Sequence, residues 1–430
     1  MTGFDTARLD TLVKADRVHS SVYTDPELFA LERERIFRRV WLYVGHESQV
    51  PKVGNFFTTR LGGEEVIVTR DKAGGIRAFA NRCTHRSAKV CQVPTGNAGR
   101  FRCPYHGWTF GLDGGLVGVP LRPGYPDSFN LKDPALALAP VPRIALYRGF
   151  IFGSWAETGP DLLAYLGPIK SAIDDLVDRA PDGEVEVGGG VHRHAYRGNW
   201  KLQMENLNDY AHPAFAHESS ITAAKSAPRA DDPEMRQDDI MAANGADNAY
   251  ITNAGVTAYP GGHSFIGGLP VDHTATPEGE AAYRAALVAR HGEARTNEIL
   301  AVNRHVQIIY PTVAFQSIFQ QIKVIDPVAP DLTEVTVWCF RLKGAPAEYH
   351  RAAVKFVNAA NSPASLILTD DLSIYERMHV NMIARPGWIM LNNGYGRDVP
   401  DNTGGWHGSG YSEMPMRNQF ATWRSYMQAA

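Results

Sequence analysis

Cysteine is scarce in this sequence. Four are present in 430 residues, namely Cys83, Cys91, Cys103 and Cys339. So few thiols argue against a disulfide framework. Three of them nevertheless fall within 21 residues of one another and close to two histidines. In a reducing compartment such clustering indicates metal binding.

Long apolar runs and blocks of like charge are absent as well. The net charge is −3, with 21% charged and 44% hydrophobic residues, and the basic residues are scattered. We therefore expect neither nucleic acid nor a membrane surface as a partner, and no segment that spans a bilayer. The N-terminus lacks the apolar core of a secretory signal, which predicts a cytoplasmic protein.

Short β segments dominate the first third of the sequence. After a helix predicted around 25–37 come segments at 56–60, 65–70 and 76–81, separated by glycine-rich turns, and further short segments follow as far as 147–155. This β-meander pattern predicts a small all-β domain over residues 41–155.

The remainder, residues 1–40 plus 156–430, has a different character. Helices are predicted at 162–179, 200–220, 277–291 and 346–380, the last as one helix or two, and strands at 305–315, 319–326 and 333–342. These elements predict an α+β domain with an antiparallel sheet. Residues 221–275 show weak periodicity and are predicted to be a long connection of the kind that contacts substrate.

The clustered thiols belong to a pattern of four metal-binding side chains. Cys83-x-His85 and Cys103-x-x-His106 form two short pairs, each able to lie on one tight loop. Zinc uses the same ligand types. In a Rieske centre one iron takes both cysteines and the other takes both histidines, so each loop supplies one ligand to each iron. The neighbouring Pro104 and Gly107 favour the Rieske cluster, because a stiff loop and a close backbone approach suit hydrogen bonds to sulfide.

These residues resemble a known signature. The pattern C-x-H-R…C-P-Y-H-G-W is similar to that of aromatic-ring-hydroxylating oxygenase large (α) subunits. It is less similar to the cytochrome bc-complex Rieske proteins, which have an additional cysteine where this sequence has Tyr105. Cys91 therefore lacks a partner for a disulfide between the loops, and we expect it to be a small buried residue.

A second constellation lies in the segment 199–220. Glu205-Asn206-x-x-Asp209-x-x-His212-x4-His217 resembles the mononuclear iron motif of the same oxygenases. Residues five apart on a regular helix point about 140° apart. Pro213 can break the helix there and let both imidazoles converge. Alone, such a histidine pair would more often be an ordinary polar contact.

The resemblance implies further site residues. Asp371 is the expected third iron ligand, because Asp371 and Glu376 match the family's D-x4-E pattern, with Asp370 as the alternative. Together with His212 and His217 it would form a 2-His-1-carboxylate triad. Asp209 would link the mononuclear iron site to His106 of the partner subunit, which implies a homotrimeric core, with or without a small β subunit.

The similarity extends over nearly the whole chain, including 38–48, 114–120 and 412–427, with Ser87 and Asn208 as mild departures. It implies an α+β fold in which a small all-β Rieske [2Fe–2S] domain is inserted in a larger helix-grip (START/Bet v1-like) catalytic domain. The implied cofactors are one [2Fe–2S] cluster and one mononuclear Fe(II) per chain.

The implied function is that of a terminal oxygenase. Electrons from NADH would arrive through a separate reductase, directly or through a ferredoxin, because the sequence has no G-x-G-x-x-G unit. The expected reaction is cis-dihydroxylation of a small aromatic substrate with O₂. Aromatic carboxylates are one substrate class. Arg304, Arg385 and Arg417 are candidate anion-binding residues, although an arginine in such a position is more often a structural or surface residue. The alternatives are a monooxygenase that hydroxylates once or demethylates, an electron-transfer Rieske protein without oxygenase activity, and a structural zinc protein.

Overall fold

The structure, a computed structural model, describes residues 7–189, 191–226, 248–268 and 277–429. They form two compact units. Phe37–Leu162 is the small unit, and the described residues before and after it form the large unit. The domain boundaries expected from the sequence, 41–155 against 1–40 plus 156–430, remain a proposal. Within the described ranges, no helix is long and apolar enough to cross a membrane.

The chain begins with short elements of the large unit: α1 (Ala7–Leu12), β1 (Arg17–His19), α2 (Ser21–Thr24), α3 (Pro26–Glu32) and a π-helix (Arg33–Phe37). The carboxylate of Asp25 accepts a hydrogen bond from the Glu27 N–H at 2.9 Å, and Pro26 occupies the first turn of α3. A capping aspartate followed by proline is what starts a helix here. The helix predicted around 25–37 is confirmed.

The small unit is built from short antiparallel strands. They are β2 (Leu42–His46), β3 (Asn55–Leu61), β4 (Glu64–Arg70), β5 (Ile76–Ala80), β6 (Thr95–Asn97), β7 (Phe101–Arg102), β8 (Thr109–Phe110), β9 (Leu116–Gly118), β10 (Arg143–Tyr147) and β11 (Phe150–Ser154). Three sheets result, with strand orders β5-β4-β3-β6, β7-β8-β9 and β10-β11-β2. The predicted β-meander is therefore confirmed.

The large unit continues with helices and strands in alternation. Its helices are α4 (Leu162–Leu166), α5 (Ser171–Val177), α6 (Trp200–Asn206), α7 (Pro213–Ala216), α8 (Glu218–Ser226), α9 (Asn248–Ala254), α10 (Pro277–His291), α11 (Glu293–Ala301), α12 (Ala347–Ala360), α13 (Leu366–Ala384) and α14 (Met414–Gln428). Its further strands are β12 (Val185–Val187), β13 (His192–Tyr196), β14 (Val256–Ala258), β15 (Ser264–Gly267), β16 (Arg304–Ile309), β17 (Val313–Gln316), β18 (Gln321–Ala329), β19 (Leu332–Leu342), β20 (Trp388–Met390), β21 (Val399–Pro400) and β22 (Trp406–Gly408).

One large antiparallel sheet organises this unit. Its order is β12-β19-β18-β17-β16-β15-β14-β22-β21, with β13 also paired to β19. Helix α13 packs on one face of the sheet, where the ring of Tyr375 lies 4.9 Å from that of Tyr196 on β13. Helix α6 lies beside α13. The predicted α+β architecture with an antiparallel sheet is confirmed.

Three expectations for individual segments are corrected by the structure. The segment predicted as a strand at 305–315 is two strands, β16 and β17. The helical segment 346–380 forms two helices, α12 and α13, which is one of the two arrangements expected. The helix predicted at 162–179 is interrupted by a 3₁₀ turn that contains Pro168. The region 221–275 is more than a connection, because its described part contributes α9 and the sheet strands β14 and β15; its residues 227–247 and 269–275 lie outside the described chain.

Candidate active site

Two loops of the small unit have the same backbone design. They span residues 83–88 and 103–108. In each, the N–H of the cysteine donates to the carbonyl five residues later, and the N–H four residues later donates back to the cysteine carbonyl, at 2.8–3.0 Å. Each loop is therefore closed on itself and holds its cysteine at a fixed place. This shared loop design is the structural reason for the paired spacing of the cysteines and histidines in the sequence.

The fourth residue after each cysteine has a left-handed backbone. Ser87 has φ 59° and Gly107 has φ 69°. Glycine adopts this conformation without strain, whereas the Cβ of serine makes it unfavourable. A Cβ on Gly107 would lie 2.7 Å from Cγ of Pro120, so the second loop also requires glycine for space. The departure noted at Ser87 falls at the equivalent turn of the first loop.

The four predicted cluster residues face one another in complementary environments. Cys83 and Cys103 are both 2% exposed, while the rings of His85 and His106 are exposed and lie 4.8 Å apart. The ring of His85 stacks on Trp108 with an interplanar angle of 6°. Buried thiols on one side and exposed imidazoles on the other fit a cluster with an inner and an outer iron.

The electrostatics of this site also suit a cluster. Burial raises the pKa of the Cys83 thiol, the backbone N–H groups of His85 and Arg86 point at its sulfur and oppose the rise, and the neighbouring Cys103 adds to it. Burial and the adjacent His106 lower the pKa of His85. Two close thiolates would repel in the absence of metal, and sulfur-directed N–H groups are what an iron–sulfur site supplies.

Cys91 has a different environment from the other two clustered cysteines. Its N–H donates to the Asn81 side chain and its carbonyl accepts from it, both at 2.8 Å. The thiol lies 3.6 Å from the Val93 carbonyl, and the residue is 8% exposed. It is a small buried residue, as expected.

In the large unit, the helix predicted over 200–220 is broken into pieces. Asn199 caps α6 by accepting from the Lys201 N–H, α6 ends at Asn206, and α7 starts at Pro213. His212 is the N-cap of α7, and His217 lies between α7 and α8. Because the regular helix is interrupted at proline, the two rings can converge, with centroids 5.5 Å apart.

Helix α13 supplies a carboxylate to the same place. Its N-terminus is capped by Ser365, which accepts from the Leu368 N–H at 3.1 Å. Oδ1 of Asp371 lies 3.6 Å from Nε2 of His212 and 3.5 Å from Nε2 of His217. The donor atoms of these three residues all lie within 4.8 Å of one another. This is the arrangement of a 2-His-1-carboxylate site.

Hydrogen bonds select the tautomers of both histidines. Nδ1 of His212 lies 3.0 Å from the backbone carbonyl of Asp209, and Nδ1 of His217 lies 3.3 Å from Oδ2 of Asp370. Both Nδ1 atoms therefore carry the proton, and both Nε2 atoms face Asp371. Either can serve as a metal ligand, although Nε2 of His212 accepts a hydrogen bond from Asn206 that a metal would replace. Burial also lowers the pKa of His212, against the pull of Asp371. Neutral imidazoles of this kind are metal ligands.

The structure separates the two candidate aspartates. Asp371 faces both Nε2 atoms, whereas Asp370 contacts the far side of the His217 ring. Asn206 completes the site, because its Nδ2 lies 3.0 Å from Nε2 of His212 and 3.0 Å from Oδ1 of Asp371. The sequence motif contained Asn206 without assigning it a role. The only feature that could have indicated a role for Asn206 was its position at the last turn of α6.

Asp209 lies beside this cluster with its side chain 34% exposed. Its Oδ1 accepts from the Ala211 N–H at 2.7 Å and the His212 N–H at 3.2 Å. The backbone carbonyl, and not the carboxylate, bonds the His212 ring, since Oδ2 is 3.8 Å from Nδ1. The outer part of the carboxylate is thus available to another group.

A cavity that is open to solvent contains His212, His217 and Asp371 in its wall. Most of the remaining wall is apolar, with His305, Gln316, Lys323 and Asn361 among the polar exceptions; the apolar side chains include Leu207, Ile266, Val306, Phe356, Ile367 and Leu368.

None of the three arginines proposed for anion binding lies in that wall as described. Arg304 pairs with Asp175 at 2.7 Å. Arg417 is bonded to the carbonyls of Leu391 and Asn393 and to Asp398. Arg385 is exposed at the end of α13. These places fit the alternative interpretation of the three residues as structural or surface arginines. Among the described residues of the wall, the lysine Lys323 is a basic side chain that the sequence analysis missed.

Known protein families match both units. The Rieske [2Fe-2S] domain family matches residues 40–132, and the catalytic domain of the ring-hydroxylating α subunit matches residues 183–429. The chain is 34% identical to the toluate 1,2-dioxygenase subunit alpha of Pseudomonas putida, covering 85% of this chain and 80% of that one. It is 32% identical to the anthranilate 1,2-dioxygenase large subunit of Acinetobacter baylyi, covering 88% and 80%.

A solved structure agrees with these relatives. Naphthalene 1,2-dioxygenase with indole bound in its active site superposes with a TM-score of 0.83 at 28% identity, covering 97% of this chain and 94% of that one. The donor sets described above fit the two metal groups that such proteins carry. The chain therefore belongs to the ring-hydroxylating dioxygenase α-subunit family, an oxidoreductase family with a Rieske [2Fe–2S] cluster and a mononuclear non-haem iron as its cofactors.

Proposed function

We propose that this chain is the terminal oxygenase component of an NADH-dependent system that dihydroxylates an aromatic carboxylate. One observation carries the proposal, namely that His212, His217 and Asp371 converge on the wall of an open cavity that also has an apolar part. Three protein ligands leave other coordination positions for O₂ and substrate. An electron-transfer protein would need neither the triad nor the cavity.

The roles of the metal-binding residues follow from their environments. Cys83 and Cys103 would hold one iron of the cluster, and His85 and His106 would hold the other. When bound, the cluster passes electrons singly and the mononuclear iron activates O₂. His212, His217 and Asp371 would hold that iron. Asp370 would orient the His217 ring through Nδ1, and Asn206 would orient Asp371 through its hydrogen bond to Oδ1.

The overall reaction is balanced by two electrons and two protons. O₂ adds both of its atoms across one ring bond to give a cis-dihydrodiol. NADH supplies the two electrons and one proton, and the solvent supplies the second proton. NADH is oxidised by a separate reductase, which passes electrons on directly or through a ferredoxin. The cavity's apolar side chains orient the ring and exclude water from the reaction.

Asp209 is proposed to connect subunits. Its outer carboxylate oxygen is free to accept a hydrogen bond from His106 of the partner subunit, while its backbone carbonyl holds His212. This arrangement would give electrons a short path and makes a homotrimeric core, with or without a small β subunit, the expected assembly.

The substrate class has support from the relatives. Toluate and anthranilate, for which two of them are named, are aromatic carboxylates. The proposal is tested with the purified protein, chemically reduced and mixed with ¹⁸O₂ and a panel of aromatic acids. Two labelled oxygen atoms in the product support dihydroxylation, and one supports the monooxygenase alternative. A protein with two irons per chain and no product would be an electron-transfer protein.

A further inference from the structure

Lys323 occupies an unusual position for a lysine. It lies on β18 opposite Ala314 of β17 and Val337 of β19, inside the large sheet, and it is only 8% exposed. It also lines the cavity that contains the three proposed iron ligands. Burying an ammonium group in a sheet is costly unless another group compensates its charge.

The register of the sheet explains why Lys323 reaches the cavity. Ala314 pairs with Lys323 and also with Ile308, and side chains two residues apart share a face. Gln316 on β17 and Val306 on β16 therefore lie on the same face as Lys323, and both line the cavity. The lysine is thus part of a continuous wall and is not a surface residue whose tip folds inward.

A second buried lysine in this protein has its positive charge compensated by neighbouring groups. Lys201 donates to the Val22 carbonyl at 3.0 Å and to the Asn199 side chain at 3.2 Å, and it forms an ion pair with Glu32. For Lys323, the described residues offer no hydrogen bond or ion pair. Burial lowers the pKa of Lys323 to about 8, and the negative charge of Asp371 partly opposes this shift.

Other groups around the cavity do not supply positive charge. Burial lowers the pKa of His305 to about 3, with Lys323 adding to the effect. His212 and His217 are neutral ligands in the proposed site, and the bound metal would neutralise the charge of Asp371. Among the described residues that line the cavity, Lys323 is the cation available to an anionic ligand.

We infer that Lys323 is a specificity-determining residue that binds the carboxylate of an aromatic acid while the ring occupies the apolar part of the cavity. This inference rests on the proposed function and assigns its substrate class to one side chain. The bound carboxylate compensates the buried ammonium, and the ion pair holds the ring in one orientation relative to the triad.

The test uses the iron-loaded protein and measures equilibrium binding by calorimetry without O₂. The probes are benzoate and benzamide, and 2-naphthoate and 2-naphthamide, so that each acid has an uncharged counterpart of similar shape. The wild type should bind at least one acid about tenfold or more tightly than its amide. Lys323→Met should lose that preference without changing amide binding, and Lys323→Arg should keep part of it.

Arg385→Met is the matched control, because it removes an exposed cation outside the cavity and should leave both affinities unchanged. Iron and sulfide are measured for each variant. The inference is overturned if Lys323→Met still prefers the acid, if it loses acid and amide binding equally, or if the wild type binds the amides as well as the acids. The comparison of acid and amide binding by the wild type tests the inference even if Lys323→Met does not fold.

The inference and the proposed function fail in different ways. If acids bind selectively through Lys323 but no ¹⁸O enters any product, the carboxylate site stands and the oxygenase proposal fails. If uncharged arenes are hydroxylated while acids are neither preferred nor bound, the oxygenase proposal stands and the role of Lys323 fails.

Discussion

Oδ1 of Asp371 lies 3.5 Å from Nε2 of His217, on the cavity side of the ring. The adjacent Asp370 meets the opposite nitrogen of the same ring at 3.3 Å. Two neighbouring carboxylates on α13 thus contact one imidazole from its two ends. Their positions imply different functions, one as metal ligand and one as the group that orients the ligand.

Substituting these two aspartates should separate the functions. Asp371→Ala should remove the mononuclear iron and reduce product formation by at least about 100-fold, because a triad with one member missing binds metal poorly. Asp370→Asn can still accept from Nδ1 of His217 and should cost about tenfold or less in iron affinity. Iron and labile sulfide per chain are the measurement. Equal iron loss in both variants would contradict the assignment, and unchanged sulfide is the control for the cluster.

The cluster ligands can be tested against a cysteine in the same core. Cys103→Ser should lose the visible absorption of the cluster and its labile sulfide, because a serine hydroxyl does not replace a thiolate on iron. Cys91→Ser is the matched control. Cys91 belongs to the same hydrophobic core but is bonded to Asn81 through its backbone, so its variant should keep the cluster. Loss of absorption in the Cys91 variant would show that this thiol takes part in binding.

The two cluster loops should respond differently at their equivalent turns. Gly107→Ser should lose the cluster, because the new Cβ would lie 2.7 Å from Pro120 in a backbone with φ 69°. Ser87→Gly should keep it and raise the free energy of unfolding by up to about 1 kcal/mol, since serine is strained at φ 59°. Absorption spectra and thermal unfolding measure both effects. A cluster retained in Gly107→Ser would mean that the second loop can shift away from Pro120.

Asp209 should affect electron transfer and leave reduction of the cluster unchanged. Asp209→Ala removes the carboxylate but retains the backbone carbonyl that bonds the His212 ring, so the iron should stay bound. We expect chemical reduction of the cluster to be unchanged and its reoxidation by O₂ in the presence of substrate to slow about tenfold or more. Stopped-flow absorption of the reduced cluster measures this rate. Unaltered reoxidation would exclude a role for the carboxylate in the path.

A buried histidine away from the metal site predicts a pH dependence of stability. Nδ1 of His263 accepts from the Tyr310 N–H at 3.1 Å and Nε2 donates to the Tyr165 carbonyl at 3.1 Å. Burial lowers the pKa of His263 to about 4 from its ordinary value of 6.5. Its contribution to stability is therefore complete above pH 6.5 and is lost as pH falls toward 4, by about 3 kcal/mol in total.

The measurement is the free energy of unfolding between pH 7 and pH 5 in the wild type and in His263→Gln. The variant should be less stable at pH 7 and should lose about 2 kcal/mol less than the wild type on acidification to pH 5. His407→Gln, which changes an exposed histidine, is the control and should follow the wild type. Parallel curves for His263→Gln and the wild type would contradict the assignment.

Much of the cluster site was predictable from the sequence because it is local. The spacing of Cys83 with His85 and of Cys103 with His106 places each pair on one closed loop, and such loops are defined by backbone hydrogen bonds within six residues. The break at Pro213 is local for the same reason, since proline interrupts a helix wherever it stands in the interior. These features need only neighbouring residues to form.

The remaining features depend on contacts between distant segments. Asp370 and Asp371 are adjacent on one helix, so only the packing of α13 beside the loop that carries His212 and His217 decides which carboxylate faces the Nε2 atoms. The partners of Asn206 are likewise set by tertiary packing. The sequence alone determined the family pattern and the residue types of both metal sites. The register of the large sheet decided that Lys323 lines the cavity, because which face a strand buries is set by its neighbours as well as by its own pattern.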